Sequence, residues 1–235
     1  MRQEGDLKMK ATALELFKGL ARSYDLTVDI ATLFQDRYWK NWVAEWTSAQ
    51  QGEMVLDLGC GTLLMEERLQ RRRYTFVGLD LTEKMIRIGQ TKELPGVRLL
   101  VNGDAENLPF PDGSFSSIIS CYAVKYVDLA KFTKEVARVT KPGGTVVLYD
   151  FVRPRGPLAP FLELYVRGGM RTAGALLGLA RNDSAFTFTN LPAIVDASVW
   201  DTMIEQVMES KGFRTRAIRH LSGGIVCAYC GVKQA

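Results

Sequence analysis

The stretch EMVLDLGCGT, residues 53–62, constrains the fold of this chain more than any other part of it. A short apolar run leads directly into glycine, which predicts a buried parallel strand, then a tight turn and a helix. Gly59 and Gly61 allow a sharp turn and let the backbone approach a ligand where a Cβ would collide. We therefore expect the first strand over residues 53–58 and a helix over 62–72.

A second apolar run, YTFVGLD, ends on Asp80. An acid about twenty residues past such glycines, at the tip of the second strand, binds ribose hydroxyls in nucleotide-binding βαβ units. The dinucleotide fingerprint would need a third glycine at position 64, where this chain has Leu64. The sequence therefore favours a nucleoside-type cofactor without phosphates.

Composition indicates one globular domain. The chain has 235 residues, of which 47% are hydrophobic and 24% charged, and its net charge is +4. That charge is too small to predict nucleic-acid binding. The chain shows neither a signal-like leader nor an apolar run of roughly eighteen residues, so we expect a cytoplasmic protein that contacts a membrane at most at its surface.

The cysteines do not predict a metal site. Cys227 and Cys230 form one CxxC pair, and the chain has a single histidine, His220. A zinc site would need a second pair of ligands, and positions three apart on a strand point to opposite faces. We expect reduced, buried thiols and no bound metal.

Four motifs follow one another in order: VLDLGCGT at 55–62, GLDL at 78–81, GDAENLPFPDGSF at 103–115 and KPGG at 141–144. Together they resemble the class I S-adenosylmethionine-dependent methyltransferases. The resemblance implies S-adenosylmethionine as cofactor, with ribose on Asp80. Its cofactor-binding residues would be Tyr24, Asp57, Gly59, Cys60, Gly61, Asp80, Leu81, Met85, Asp104, Ala105 and Ser120.

Two of those positions have specific roles by the same resemblance. Asp104 would accept from the adenine amino group, and the backbone N–H of Ala105 would donate to a ring nitrogen. Adenine offers this donor and acceptor on one edge, so the pairing makes chemical sense.

The pattern predicts a Rossmann-like seven-stranded sheet, mostly parallel, with helices on both faces. We expect an N-terminal helical cap at 1–50, a cofactor-binding core at 53–151, a helical substrate lid at 152–198, and a last helix with an antiparallel hairpin at 199–235. The further strands are expected at 74–80, 97–101, 115–121 and 145–151, and the main helices at 7–20, 83–92 (capped by Thr82) and 200–211.

The ends of the chain carry a narrower resemblance. FKGLARSYD at 17–25 and SGGIVCAYCGVK at 222–233 look like the ubiquinone and menaquinone C-methyltransferases. This implies C-methylation of a prenylated, demethylmenaquinol-like quinol by a monomer or homodimer. O- or N-methylation of another small hydrophobic metabolite or lipid is the alternative, and a non-catalytic cofactor-binding module is a third reading.

The chain departs from that family at two places. Val124-Lys125-Tyr126 stands where the family has Leu-Arg-Asn, so a point charge replaces a forked guanidinium. Leu63 stands where the family usually has glycine.

A carbon nucleophile needs a stabilised phenolate and a proton acceptor. Lys125 is the candidate stabiliser, with Tyr122 and Tyr126 beside it on the segment after the fourth strand. Asp25 is the second candidate for the proton-accepting role. We further expect the lid arginines to face outward, as on an anionic membrane surface: Arg155, Arg167, Arg171 and Arg181.

Overall fold

The computed structural model describes residues 2–157, 159–164, 168 and 191–235. Its seven strands form one sheet in the order β3-β2-β1-β4-β5-β7-β6. The strands are β1 (Met54–Leu58), β2 (Thr75–Asp80), β3 (Val97–Asn102), β4 (Phe115–Cys121), β5 (Thr140–Phe151), β6 (Phe213–Leu221) and β7 (Val226–Lys233). The first five are parallel, and β7 runs antiparallel between β5 and β6. The predicted fold class is confirmed.

Helices surround the sheet in the described part of the chain. They are α1 (Arg2–Leu20), α2 (Tyr24–Ala31), α3 (Asp36–Trp46), α4 (Leu64–Leu69), α5 (Glu83–Gln90), α6 (Leu129–Val139) and α7 (Trp200–Glu209). Residues 159–164 and 191–197 are also helical. In this described part, no helix has the length and apolar content needed to cross a membrane.

The strand order places β1 between β2 and β4, so the chain leaves β1 in one direction and returns on its other side. At such a switch point the crossovers diverge and leave a crevice outside the carboxyl ends of the strands. This crevice is the place where the glycine-containing loop after β1 is found.

Each face of the sheet has its own hydrophobic core, because successive side chains of a strand point to opposite sides. Leu56 packs with α6 and α7 on one face, and Val55 packs with α3 and α4 on the other. Cys227 and Cys230 lie on opposite faces in this way, and both are free thiols. Within the described ranges, no group of three histidine, cysteine or acidic side chains could hold a metal.

Several predicted element bounds need correction. The helix after β1 begins at Leu64 instead of Thr62, since Leu63 has a left-handed φ of 67°, and a short 3-10 turn follows Leu69. Thr82 is the N-cap residue of α5, yet its side chain makes no capping hydrogen bond. Strand β5 begins at Thr140 instead of residue 145.

Most of the predicted lid lies outside the described residues, including Arg167, Arg171 and Arg181. Arg155 is described: its side chain is 55% exposed, but its guanidinium is bound to the protein and is not free to face a membrane surface as predicted. Its guanidinium pairs with the buried Asp201 of α7 at 2.8 Å. This contact joins the start of the lid segment to the last helix.

Candidate active site

The loop after β1 is built around Asp80 at the end of β2. One Asp80 oxygen accepts from the Gly61 N–H at 2.8 Å, and the other accepts from the Thr82 N–H at 2.7 Å. Gly59 has φ +78°, and a Cβ there would lie 2.6 Å from the Cβ of Ala123. The loop therefore needs glycine, both for its backbone conformation and for its contact with the segment after β4.

A central cavity opens at the carboxyl ends of β1, β2 and β4, with α1 along one wall. Counted out to its open mouth, it encloses about 690 Å³ of space, part of which is open to solvent. The predicted site residues in its lining are Tyr24, Gly59, Gly61, Asp80, Leu81, Met85, Asp104, Ala105, Tyr122 and Tyr126.

Three predicted cofactor residues do not line this cavity. Ser120 is fully buried and donates its hydroxyl to the Leu58 carbonyl at 2.7 Å. Cys60 is buried, and its sulfur lies against Gly78 of β2. Asp57 faces the buried Glu66 of α4. These three side chains are buried beneath the loop, and the loop contributes Gly59 and Gly61 to the cavity lining.

The far end of the cavity is closed by α1. Lys10 donates to Asp104 Oδ2 at 2.7 Å and also pairs with Glu106 at 2.8 Å. Asp104 Oδ1 accepts from the Glu106 N–H at 2.9 Å, which fixes the carboxylate from a second side. Lys10 was not among the predicted site residues, because in the sequence it is one of several lysines in the first helix and no motif distinguishes it.

The lining of the cavity suits a nucleoside without phosphate groups. Asp80 and Asp104 offer acceptors for hydroxyl and amino groups. Among the described lining residues, Lys10 is the basic side chain, and its ammonium is already paired with Asp104. No unpaired cation in this lining would therefore balance the charge of a phosphate group. A Cβ on Gly61 would lie 3.8 Å from Met85 and 3.9 Å from Tyr24, so the glycine keeps space for a ligand between them.

A second, apolar pocket adjoins the central cavity. The two share four aromatic side chains, Phe17, Tyr24, Tyr122 and Tyr126. The other residues lining the apolar pocket are Leu16, Leu20, Thr27, Val28, Ala31, Thr32, Lys125, Phe151 and Leu191. Among these described residues, Lys125 carries the charged side chain.

The ammonium of Lys125 is held by two acceptors. Its Nζ donates to Asp150 Oδ1 at 2.6 Å and to the Tyr122 carbonyl at 2.8 Å, and it lies 4.4 Å from the centre of the Tyr126 ring. The Lys125 and Asp150 side chains are 2% and 0% exposed. Burial lowers the pKa of Lys125, and the attraction of Asp150 opposes that shift. Asp150 was not among the residues predicted from the sequence.

The tyrosines around Lys125, Tyr122 and Tyr126, are both buried. Tyr122 has φ +64°, and its hydroxyl donates to Asp36 at 2.7 Å and bonds to Tyr149 at 2.7 Å, while its ring stacks on Phe151. Burial raises the pKa of Tyr126 well above its ordinary value, so the group stays a neutral phenol. Neither hydroxyl is suited to act as a base.

Asp25 lies away from both cavities. Its carboxylate accepts from Thr62 and from Lys92, the latter at 2.8 Å, and it lines a separate polar cleft between α2, α3 and α4. The prediction that it approaches the reaction site needs correction, because α2 turns Asp25 outward while Tyr24 faces inward.

The chain matches the model of the ubiE/COQ5 methyltransferase family over residues 6–233. It is 34% identical to the demethylmenaquinone methyltransferase of Streptomyces avermitilis, with 93% of each protein covered. It is 31% identical to the demethylmenaquinone methyltransferase of Mycobacterium marinum, over 93% of this chain and 92% of that protein.

Among solved structures, an S-adenosylmethionine-dependent methyltransferase from Aquifex aeolicus superposes with a TM-score of 0.58 at 16% identity. The match covers 82% of this chain and 88% of the other, and it shows the fold. The family match spans nearly the whole chain and includes both cavities. The chain belongs to the ubiE/COQ5 methyltransferase family and is an S-adenosylmethionine-dependent methyltransferase.

Proposed function

We propose that the protein transfers the methyl group of S-adenosylmethionine to a ring carbon of a prenylated, demethylmenaquinol-like quinol. The observation that supports it best is the apolar pocket beside the central cavity, with one buried ammonium in its wall. An apolar pocket suits a lipid-soluble ring, and a cation suits the phenolate that makes a ring carbon nucleophilic. The names of the relatives point to the same acceptor class.

The central cavity would hold the cofactor. Asp80 would accept from the ribose hydroxyls and Asp104 from the adenine amino group, next to Leu81 and the Ala105 N–H. When bound, S-adenosylmethionine supplies an electrophilic methyl group on a sulfonium. The rings of Tyr24 and Tyr126 lie between the two pockets, where they can face a sulfonium by cation–π contact.

Lys125 would stabilise the acceptor oxygen. An ammonium has three N–H donors, and two are used by Asp150 and the Tyr122 carbonyl. The third is left for the oxygen of a quinol in the apolar pocket, directly or through a water. The carboxylate of Asp150 would stabilise the positive charge of Lys125 in place of water and would fix the direction of its N–H groups.

The test is the Lys125→Met variant, assayed with a short-chain demethylmenaquinol. We expect turnover to fall by roughly 10²–10³, the usual size for one electrostatic stabiliser, with cofactor affinity near normal. Lys134→Met is the matched control, because Lys134 is exposed on α6. Mass spectrometry of the product should show a methyl group that resists acid and base cleavage, as C-methylation requires.

Removing Lys125 alone leaves Asp150 as a buried, unpaired charge, which costs about 3–5 kcal/mol. The double variant Lys125→Met/Asp150→Asn removes that charge and keeps a carbonyl acceptor for a backbone N–H. If this variant folds and methylates the quinol at the wild-type rate, Lys125 has no role in the chemistry. O-methylated product from the wild-type enzyme would favour the alternative, an O-methyltransferase of a hydrophobic metabolite.

We also propose that the enzyme meets its acceptor at a membrane surface. The corner between α2 and α3 exposes Leu33, Phe34 and Tyr38, with 57%, 57% and 61% of their surfaces accessible. Such side chains near an apolar pocket suit shallow insertion into a bilayer. Flotation with anionic liposomes at low salt should recover the wild-type protein, and Phe34→Ser should weaken recovery. Equal absence of both from the liposome fraction would contradict the proposal.

A further inference from the structure

We propose that Lys10 is a cofactor-retaining residue, whose ion pairs with Asp104 and Glu106 hold α1 over the adenine end of the central cavity. Release of the spent cofactor would then require this bridge to break. The inference rests on the proposed placement of S-adenosylmethionine in that cavity. It concerns the rate at which the cofactor leaves, which the methyl-transfer chemistry does not determine.

Lys10 reaches from α1 across to the loop after β3. Its Nζ lies 2.7 Å from Asp104 Oδ2 and 2.8 Å from Glu106 Oε2, and its side chain is 18% exposed. Burial alone would lower the pKa of Lys10, yet its hydrogen bonds to both carboxylates raise it above the ordinary value. The ammonium is therefore charged at neutral pH and bound on two sides.

The acceptor side of this bridge is rigid. Glu106 is 7% exposed, and its other oxygen accepts from the N–H of Asp128, the N-cap residue of α6. Asp104 accepts from the Glu106 N–H through its other oxygen. Both carboxylates that Lys10 contacts are therefore tied to other groups of the protein by hydrogen bonds.

The bridge spans a wall of the cavity. Ala13, Leu14 and Phe17 line the central cavity from the same helix that carries Lys10. Toward its C-terminal end, α1 is held by apolar contacts to Tyr126 and by a hydrogen bond from Lys84 to the Lys18 carbonyl at 2.8 Å. Breaking the Lys10 contacts would remove both of its ion pairs to the loop after β3, and we expect α1 to be held less tightly over the adenine end as a result.

Lys10 also affects the orientation of Asp104. A carboxylate has about four lone-pair directions, and Lys10 and the Glu106 N–H use two of them. With both neighbours in place, a free lone pair of Asp104 stays directed toward the cavity. Without Lys10 the carboxylate can rotate, and its hydrogen bond to the adenine amino group becomes weaker.

The experiment measures dissociation of S-adenosylhomocysteine from purified protein, with Lys10→Met against wild type. We expect the dissociation rate constant to rise roughly tenfold with little change in association, because changes at one interface act mainly on dissociation. Hydrogen exchange of α1 should be faster in the variant, with and without ligand. Lys10→Arg should restore slow dissociation in part, since it keeps the charge.

The matched control is Lys131→Met. Lys131 lies 3.9 Å from the same Glu106 oxygen but is 52% exposed and does not line the cavity. We expect its dissociation rate to equal that of wild type. If the dissociation rate constant rose equally in both lysine variants, the positive charge near Glu106 would matter and the specific contacts of Lys10 would not. That result would overturn the proposal.

Two outcomes separate this inference from the cofactor placement. If Asp80→Ala weakens binding while Lys10→Met leaves dissociation unchanged, the cofactor is placed as proposed and the retention role is wrong. If neither variant changes S-adenosylhomocysteine binding, the placement itself fails and the retention role with it. Thermal unfolding of each variant shows whether a change reflects loss of the fold.

Discussion

Beneath the glycine-containing loop, Asp57 and Glu66 form a buried pair of carboxyl groups. They are 2% and 1% exposed, and neither Asp57 Oδ1 nor either Glu66 oxygen receives a hydrogen bond from another group in the described residues. Two carboxylates in contact cannot both be ionised without a large cost, so the native pair retains a proton. Burial raises the pKa of Asp57 to about 7, with Lys40 opposing and Asp80 adding to the shift.

This pair makes the free energy of unfolding depend on pH. Burial, and next the charge of Asp57, raise the pKa of Glu66 well above its ordinary value. Between about pH 4 and 7 the native pair holds protons that the unfolded chain has released, so raising the pH favours unfolding. Each extra proton contributes a slope of about 1.4 kcal/mol per pH unit. The contribution of this pair to the free energy of unfolding should therefore be largest near the acidic end of this window and should fall as the pH rises.

Glu66→Gln tests this reasoning, because an amide keeps a donor toward Asp57 and removes one titrating group. We expect the loss of stability between about pH 5 and 7 to become shallower by roughly 1.4 kcal/mol per pH unit. Urea unfolding at pH 5, 6, 7 and 8 measures it. Glu67→Gln is the control, since Glu67 is 39% exposed and pairs with Lys92. Equal slopes in wild type and Glu66→Gln would refute the shared-proton account.

The remaining predictions concern the loop and the ion pairs. Asp80→Ala should weaken S-adenosylhomocysteine binding by about 1.5–3 kcal/mol in calorimetry, as for a lost charged hydrogen bond; unchanged affinity would contradict its placement at the ribose. Gly59→Ala should lower the melting temperature and abolish cofactor binding, because the added Cβ would lie 2.6 Å from another Cβ. Lys40→Met should destabilise the fold by about 3–5 kcal/mol, because it leaves Asp36 buried and unpaired. Arg87→Met, which removes an exposed pair, should cost less than about 1 kcal/mol in the same urea titration.

The regular parts of the fold were predictable because local patterns determine them. Strand β4 was placed with its observed bounds, and the other strands were within a few residues, except that β5 starts earlier. Apolar runs that end in glycine or an acid are typical of parallel strands buried on both faces, so their periodicity leaves little choice. The helix after β1 was misplaced at its start, because the left-handed Leu63 is a residue type that rarely takes this conformation.

The candidate site was only partly predictable. Residues at strand ends and in the glycine-containing loop were found, since topology alone brings those positions to one edge of the sheet. Ser120 and Cys60 were assigned from a motif, which does not say whether a side chain points into the cavity or beneath the loop. Asp25 follows a residue that faces inward, and a single helical step of about 100° turns it outward.

By itself, the sequence determined the fold class, the family and the edge of the sheet at which ligands bind. These properties depend on the order of apolar runs, glycines and motifs along the chain. Residues close in sequence interact locally, and their pattern determines where strands and turns form. Only the tertiary structure decided which charges meet. Lys125 and Asp150 are 25 residues apart, and Lys10 and Asp104 are 94 residues apart. Such pairs form because packing removes most of the water around each charge and brings oppositely charged groups from distant parts of the chain together, a condition that no local pattern records.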